Sequence, residues 1–288
     1  MEKRISGYTE LIGLIATPIR HSKSPTMHNA AFQKLGLDYA YLAFEVGEDD
    51  LEDTIKGFKA MKVRGWNVSM PHKTTIVQYL DHLTPVAKMC GAVNTVVNNN
   101  GILTGTITDG IGYMQSLKDQ GIDVIGKKMT VVGAGGAATA ICMQAAVDGV
   151  KEISIFNRHD EFYERGEKNV EIIQSSTSCH AQLFSLEDHE ALRHEIAESV
   201  IFINATNVGM KPLEKQMVLP SIDYLKKGMI VSDVIYMPEK TRLLEEAEKF
   251  GCSIINGLGM MLFQGAEAFK LWTGEDMPIN DVKAVLGL

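Results

Sequence analysis

The sequence has few cysteines and no long apolar run, and both shortages restrict its class. Its 4 cysteines form no C-x-x-C pair, so neither a disulfide framework nor a thiolate zinc site is indicated. No stretch approaches the ~18 apolar residues of a membrane span, and the apolar run at residues 11–16 is too short for a secretory segment of ~7–15 residues. We therefore expect a cytoplasmic protein in a reducing compartment.

Positive charge is also scarce. The chain has 28 basic and 36 acidic residues, a balance that disfavours general binding to nucleic acid or to an anionic membrane. Any anionic ligand must therefore be held by local groups. The 26 glycines and 8 prolines among 288 residues are too few for a collagen-like or disordered chain. At ~150 residues per domain, the length predicts two domains.

Helix and strand patterns alternate along the chain, which predicts an α/β fold with parallel strands and crossover helices. The predicted strands are residues 11–16, 39–46, 66–70, 92–97, 102–106, 129–132, 153–156, 200–205, 229–234 and 253–255. The predicted helices are residues 26–35, 49–61, 110–120, 240–250, 261–272 and 280–285, with one more beginning at Pro71 and another ending near Gly149. The hairpin at 92–106 is a natural domain edge, and the last two helices are predicted to return to the first domain.

The sharpest local pattern is Gly133-x-Gly135-x-x-Ala138, between a predicted strand and a predicted helix. Small residues there let the backbone turn tightly and let a pyrophosphate approach the helix N-terminus. Asp160 lies 25 residues after Gly135, close to the ~20-residue offset of a carboxylate that binds the adenosine ribose. Asp160 favours NAD, whereas Arg158 at the same turn can pair with the 2′-phosphate of NADP. Close helix packing alone, or a methyltransferase, is the alternative explanation.

Other polar residues have both a functional and a structural interpretation. Ser22 and Ser24 precede a predicted helix and offer a carboxylate site, although Ser24 followed by Pro25 is also a sufficient helix cap. Lys73 is equally explained as a surface lysine, and Asp109 as another cap. The 8 histidines show neither H-E-x-x-H nor a Cys/His ladder, so we predict no metal site.

A series of segments in fixed order narrows these choices. The segments are residues 18–29, 67–73, 91–95, 108–110, 133–137, 157–160, 204–206 with 209–210, Asp233 with Tyr236 and Pro238, and 257–260 with Gln264 and Gly265. Together they resemble the shikimate dehydrogenase family, most closely its quinate/shikimate dehydrogenase branch, over nearly the whole chain. The resemblance implies an oxidoreductase that moves a hydride between a nicotinamide cofactor and the ring alcohol of shikimate, giving 3-dehydroshikimate in aromatic amino acid biosynthesis.

The resemblance also implies an architecture and a set of partners. It places a substrate-binding domain at residues 1–108, completed by 258–288, and a doubly wound Rossmann domain at 109–257, with a cleft between them. NAD is the expected cofactor, with NADP as the alternative. Shikimate, and by extension quinate, is the expected small-molecule substrate; neither nucleic acid nor a membrane is expected, and a homodimer is left open.

Carried over position by position, the resemblance assigns roles. Lys73 and Asp109 become the catalytic pair, because a lysine beside the reacting oxygen can shuttle the proton that must leave when an alcohol becomes a ketone. Ser22 and Ser24 would bind the substrate carboxylate, and Ser69, Asn94, Thr108 and Gln264 the ring hydroxyls. The cofactor-binding residues would be Gly133, Ala134, Gly135, Gly136, Ala137, Asn157, Arg158, Asp160, Thr206, Val234, Tyr236 and Gly257.

Three positions depart from the usual pattern of the family. Ile107 stands where an Asn usually precedes Thr-Asp-Gly, which removes a polar side chain. His159-Asp160 resembles the branch that accepts NAD rather than the NADP-dependent members. Ser69 replaces the more common Thr and leaves room for the extra hydroxyl of quinate. A dedicated quinate dehydrogenase, or a sensor that binds the ligands without turnover, is the competing interpretation.

Overall fold

The computed structural model describes residues 5–20 and 22–287, and His21 of the N-terminal motif lies outside these ranges. The strands are β1 (Glu10–Ala16), β2 (Tyr39–Glu45), β3 (Gly65–Val68), β4 (His82–Leu83), β5 (Thr95–Asn99), β6 (Ile102–Thr106), β7 (Lys128–Val132), β8 (Glu152–Asn157), β9 (His180–Ser185), β10 (Ile201–Asn204), β11 (Ile230–Asp233) and β12 (Ser253–Ile255). The helices are α1 (Ser24–Leu35), α2 (Leu51–Ala60), α3 (Pro85–Cys90), α4 (Asp109–Asp119), α5 (Gly136–Asp148), α6 (Tyr163–Ser176), α7 (His189–Glu198), α8 (Arg242–Phe250), α9 (Leu258–Thr273) and α10 (Ile279–Leu286).

These elements form two compact units. Unit 1 contains the described residues up to Thr108 and those from Leu262 onward, and unit 2 is Asp109–Met261. The chain returns to unit 1 within α9, whereas the sequence placed that boundary at residue 258. Because α9 is one continuous helix, no loop marks the return in the sequence. No helix in the described part of the chain is long and apolar enough to cross a membrane.

Unit 1 is built on a mixed sheet with the strand order β2-β1-β3-β5-β6-β4. Strand β1 is parallel to β2 and β3, and β5 is antiparallel to both β3 and β6. The late helix α9 contributes Trp272 to this sheet, and its indole N–H donates to the Val96 carbonyl over 3.0 Å. A Cβ at Gly65 would lie 2.3 Å from that indole nitrogen, so only glycine permits the contact. The predicted return of the last helices to the first domain is therefore confirmed.

Unit 2 is built on a fully parallel sheet with the order β12-β11-β10-β7-β8-β9. The first strand of the unit, β7, lies in the middle, and the chain proceeds outward first on one side and then on the other. This is the strand order of a doubly wound dinucleotide-binding domain, whose ligand site is at the point where the direction reverses, between β7 and β10. The predicted α/β fold is confirmed.

The local predictions differ in how well they match the structure. The helix expected after the glycine-rich loop is confirmed as α5, which ends at Gly149 in the left-handed conformation with φ 100°. The α-helix predicted to begin at Pro71 is wrong: turns lead into a 3-10 helix at Thr75–Tyr79. Tertiary bonds explain this, since the Lys73 carbonyl accepts from Val93 N over 2.8 Å, and His72 Nε2 lies 2.8 Å from the Val46 carbonyl.

Candidate functional site

The glycine-rich loop of unit 2 joins β7 to α5 and contains Gly133, Ala134, Gly135, Gly136 and Ala137. Gly133 has φ +116°, and a Cβ there would lie 2.8 Å from the Ala205 carbonyl oxygen. A Cβ at Gly135 or Gly136 would meet no heavy atom within 4 Å, so the loop borders open space. No side chain caps α5. An uncapped helix N-terminus facing open space fits the pyrophosphate of a dinucleotide.

The next strand, β8, ends in a turn that holds a carboxylate. Asn157 Nδ2 donates to Asp160 Oδ1 over 2.9 Å and to the Arg158 carbonyl over 2.8 Å. The backbone N–H of Phe162 donates to the same Asp160 oxygen over 3.0 Å. The side chain of Asp160 is thus held in one orientation at the C-terminal end of a strand adjacent to β7, where a ribose is bound in this fold.

A second carboxylate lies close to this turn. A hydrogen bond from Ser185 lowers the pKa of Glu187, and the positive fields of His159 and Arg158 lower it further. The side chain of Arg158 is exposed. A phosphate that approached Arg158 would therefore meet the negative fields of both Asp160 and Glu187.

The ends of β10 and β11 are joined by a buried carboxylate. Asp233 is 0% exposed and accepts hydrogen bonds from Ile235 N (3.0 Å), Asn204 Nδ2 (3.0 Å) and Thr241 Oγ1 (2.8 Å). Asn204 Oδ1 in turn accepts from Thr206 Oγ1 over 2.7 Å. Burial raises the pKa of Asp233 to about 6, although these hydrogen bonds oppose the rise. Asp233 thus ties together the loops that follow the two strands.

Those loops contain the remaining predicted cofactor residues. A Cβ at Gly257 would lie 2.0 Å from the Val234 carbonyl oxygen, so no side chain fits there, and Gly257 N donates to the Ile235 carbonyl over 2.9 Å. Tyr236 is partly exposed. The sequence motif included Asp233 without a role. A polar residue at the end of a buried apolar strand was the available signal.

In unit 1, three of the predicted substrate residues are brought together. Asn94 Nδ2 donates to Thr108 Oγ1 over 3.0 Å and to Gln264 Oε1 over 3.4 Å. Thr108 N donates to Asn94 Oδ1 over 2.8 Å. Gln264 lies on α9, more than 150 residues from the other two, so its place in this cluster is a consequence of the tertiary fold. The neighbouring Ile107 is buried in the core and offers no side-chain hydrogen bond.

The amide cluster continues inward through Asn67. Its Nδ2 donates to the Asn94 carbonyl over 3.1 Å and to Thr95 Oγ1 over 3.0 Å. Its Oδ1 accepts from the hydroxyl of Tyr41 over 2.7 Å. Ser69, half-buried just beyond the end of β3, donates its backbone N–H to the Ile15 carbonyl. Sequence reasoning assigned no role to Tyr41, because a single tyrosine in an apolar strand gives no functional signal.

The two serines lie at the start of α1. The helix begins at Ser24 and is preceded by Lys23, with no side-chain cap. The interpretation of Ser24 as the helix cap is therefore wrong. Instead, Ser24 N donates to Ser22 Oγ over 3.2 Å, which leaves the Ser22 hydroxyl able to donate its proton outward. Both side chains are partly exposed.

The predicted catalytic residues lie at well-defined places in their own units. Lys73 is half-buried in the turn of unit 1 that also contains the fully buried His72. Asp109 directly follows Thr108 in the chain and is the first residue of both α4 and unit 2. It is half-buried.

A charged cluster in unit 2 was not predicted from the sequence. Lys128 Nζ lies 2.7 Å from Glu152, 2.7 Å from Glu195 and 2.9 Å from Glu198. His194 adjoins Glu195 and Glu198, and these three residues offer atoms within 4.8 Å of one another, close enough to hold a metal ion. The lysine ammonium already neutralises the two glutamates, so we interpret this cluster as structural.

Comparison with known proteins gives consistent matches. The shikimate dehydrogenase substrate binding domain matches residues 14–96, and the shikimate 5'-dehydrogenase C-terminal domain matches residues 257–286. Shikimate dehydrogenase (NADP(+)) of Listeria monocytogenes serotype 4b (strain F2365) is 68% identical over 284 residues, covering 99% of this chain and 98% of the relative. Quinate/shikimate dehydrogenase of Escherichia coli O17:K52:H18 (strain UMN026 / ExPEC) is 47% identical and covers 96% of each chain.

A solved structure is equally similar. The crystal structure of shikimate 5-dehydrogenase from Listeria monocytogenes in complex with shikimate and NAD has a TM-score of 0.97 and 67% identity, covering 99% of both chains.

Proposed function

Since this chain belongs to the shikimate dehydrogenase family, we propose that it interconverts shikimate and 3-dehydroshikimate by hydride transfer with a nicotinamide dinucleotide. The observation that carries this proposal is the likeness, at 67% identity over 99% of the chain, to an enzyme with shikimate and NAD bound. The arrangement of polar groups in unit 1 and the strand order of unit 2 agree with such a pair of ligands.

Unit 1 supplies groups that match a small polyhydroxylated acid. The Ser22 hydroxyl, whose oxygen already accepts from Ser24 N, donates its proton to the substrate carboxylate. Asn94, Thr108 and Gln264 offer both donors and acceptors within one cluster, as ring hydroxyls require. Ser69 completes the proposed set of hydroxyl contacts.

Lys73 and Asp109 are the proposed catalytic pair. The bound nicotinamide supplies the hydride acceptor, so the residues of the chain have only the hydroxyl proton to move. The Lys73 Nζ takes that proton as the carbonyl forms, or donates one to the oxygen in the reverse direction. Asp109 orients the lysine, and the positive charge of the lysine stabilises the developing oxyanion.

Unit 2 holds the dinucleotide in this proposal, and NAD is the preferred form. The pyrophosphate lies at the loop of Gly133–Ala137, and the ribose hydroxyls bind Asp160. A 2′-phosphate would be repelled by Asp160 and by the nearby Glu187. Two facts bear on this preference: the Listeria monocytogenes relative is named for NADP(+), whereas the similar crystal structure contains NAD.

Initial rates with purified protein test the function directly. Shikimate and quinate are crossed with NAD and NADP, and reduced nicotinamide is followed by absorbance. We expect shikimate with NAD to give the highest kcat/KM. A dominant rate with quinate, favoured by Ser69 and by the similarity to quinate/shikimate dehydrogenase, would change the substrate. Ligand binding without any turnover would instead support a sensor.

Substitution of Asp160 tests the cofactor assignment. In Asp160→Ala, we expect kcat/KM with NAD to fall while the value with NADP holds or rises, because the ribose contact and the repulsion are lost together. Asp188→Ala is the matched control: this carboxylate caps α7 by accepting from Ala191 N. An unchanged ratio between the two cofactors in Asp160→Ala would refute the assignment.

A further inference from the structure

Tyr41 is a fully buried residue of β2 that holds the start of α1 in place. Asn29 of α1 makes two hydrogen bonds with the backbone of Tyr41: its Nδ2 donates to the Tyr41 carbonyl over 2.9 Å, and its Oδ1 accepts from Tyr41 N over 2.9 Å. The ring of His28 stacks on the Tyr41 ring at 4.5 Å. The position of Ser24, the first residue of α1, therefore depends on contacts with Tyr41.

The hydroxyl of Tyr41 points in the opposite direction, toward the amide cluster. It donates to Asn67 Oδ1 over 2.7 Å, and the direction of this bond is unambiguous. The Asn94 carbonyl can only accept, so Asn67 must turn its Nδ2 toward that carbonyl and its Oδ1 toward Tyr41. The Tyr41 proton is thereby committed to Asn67, and the phenol oxygen is left to accept.

The donor to that oxygen is Ser24. Burial raises the pKa of Tyr41, and a hydrogen bond with the Ser24 side chain lowers it by a smaller amount. Because the phenol donates to Asn67, the Ser24 hydroxyl is the donor in this second bond. A continuous path of hydrogen bonds thus leads from Ser24 through Tyr41 and Asn67 to Asn94, and from there to Thr108 and Gln264.

We propose that Tyr41 is a positioning residue that couples the carboxylate-binding serines to the hydroxyl-binding amides of the substrate site. The inference rests on the proposed function, since it takes shikimate as the ligand of both groups. Neither half of the site holds its geometry alone: Ser24 is oriented by the phenol, and Asn67, which supports Asn94, needs the phenol proton. Tyr41 touches no reacting atom in this proposal, and it acts only through its neighbours.

Tyr41→Phe keeps the buried ring and removes only the hydroxyl. Asn67 Oδ1 then loses its donor, and a buried acceptor without a partner must rearrange or admit water. We expect the KM for shikimate to rise about tenfold, with the KM for NAD unchanged. Tyr39→Phe is the matched control: Tyr39 lies on the same strand and the same face, but its phenol senses Glu10 and Arg64. Its KM values should equal those of the wild type.

A double-variant cycle separates coupling from general damage. If Tyr41 acts through Ser24, Tyr41→Phe combined with Ser24→Ala raises the KM for shikimate little beyond either single change, whereas independent effects would multiply to about a hundredfold. Multiplicative effects, or a KM in Tyr41→Phe equal to that of Tyr39→Phe, would overturn the inference. So would a loss of kcat with KM unchanged, since that result reports only a smaller folded fraction.

Calorimetric titration with shikimate keeps this test distinct from the test of function. A wild type that binds shikimate without turnover would refute the proposed activity, yet the same coupling would still be measured in its dissociation constants. A wild type that does not bind shikimate would overturn both proposals. Thermal unfolding of each variant confirms that the proteins compared are folded.

Discussion

The two units handle buried polar groups in opposite ways. In unit 1 the buried network consists of neutral amides and hydroxyls, with Tyr41, Asn67 and Asn94 as its main members. In unit 2 the buried groups include charges: Lys128 among three glutamates, and the carboxylate Asp233. The neutral network suits a ligand recognised by its hydroxyls, whereas the charged groups of unit 2 connect strands and loops.

The difference has energetic consequences. Removing one partner of a neutral buried hydrogen bond costs about 1–3 kcal/mol, whereas removing one partner of a buried ion pair costs about 3–5 kcal/mol. Unit 1 should therefore tolerate conservative changes in its interior that unit 2 does not. Both tryptophans, Trp66 and Trp272, belong to unit 1 and are fully buried. Tryptophan fluorescence thus reports on unit 1, while circular dichroism reports on both units.

The largest effect is expected for the chemistry itself. Lys73→Ala should lower kcat with shikimate by about 10²–10⁴, because the proton then has no positioned acceptor. The dissociation constant for NAD, which we assign to unit 2, should stay the same. Lys88→Ala, an exposed lysine of unit 1, is the control. Wild-type turnover in Lys73→Ala would remove this residue from the catalytic pair.

The next largest effect is expected for the ion cluster of unit 2. Lys128→Met should lower the free energy of unfolding by about 3–5 kcal/mol, because Glu195 would be left buried without its cation. The neighbouring Lys127 is exposed and pairs only with Asp123 among the described residues, so Lys127→Met should cost less than about 1 kcal/mol. Urea unfolding followed by circular dichroism measures both. Equal midpoints for the two variants would show that the cluster adds nothing to stability.

Acid should destabilise unit 1 through His28. Burial lowers the pKa of His28 from 6.5 to about 3, and neither ring nitrogen has a hydrogen-bond partner. Below pH 6.5 only the unfolded chain takes up this proton, so the stability is complete above pH 6.5 and declines as the pH falls toward 3. Between pH 6.5 and 5 the loss should be about 2 kcal/mol.

Urea midpoints from tryptophan fluorescence at the two pH values measure this loss. His28→Phe should remove most of the pH dependence, whereas His82→Gln, an exposed histidine of the same unit, should keep it. A slope that His28→Phe leaves unchanged would assign the acid sensitivity to another group.

The smallest effect has the opposite sign and belongs to unit 2. Because burial raises the pKa of Asp233 to about 6, the folded state binds a proton there more readily than the unfolded state. Its contribution to stability is complete below pH 3.8 and is lost as the pH rises through 6. Acidification from pH 6 to 5 should therefore stabilise this unit by about 1 kcal/mol. Asp233→Asn should abolish the gain, as measured by circular dichroism, and a gain that persists would contradict the assignment.

Local pattern was sufficient for some elements and not for others. Helix α5 and the loop of Gly133–Ala137 were predictable, because glycine spacing and a nearly continuous apolar run act within a few residues. The segment after Pro71 was not, since bonds from Val93 and Val46, distant in sequence, hold it in turns. Tyr41 and Asp233 gave no interpretable signal for the same reason: their partners come from other elements.

The sequence by itself determined the alternation of helices and strands, the glycine-rich turn, the acidic residue after β8 and the family to which the chain belongs. These features depend on periodicity, on residues that permit unusual backbone angles and on short ordered motifs. Only the tertiary structure decided that Gln264 joins Asn94 and Thr108, that Tyr41 links Ser24 to Asn67, and that Lys128 is enclosed by three glutamates. Side-chain hydrogen bonds and ion pairs act over about 3 Å, a distance that residues far apart in the chain reach only after folding.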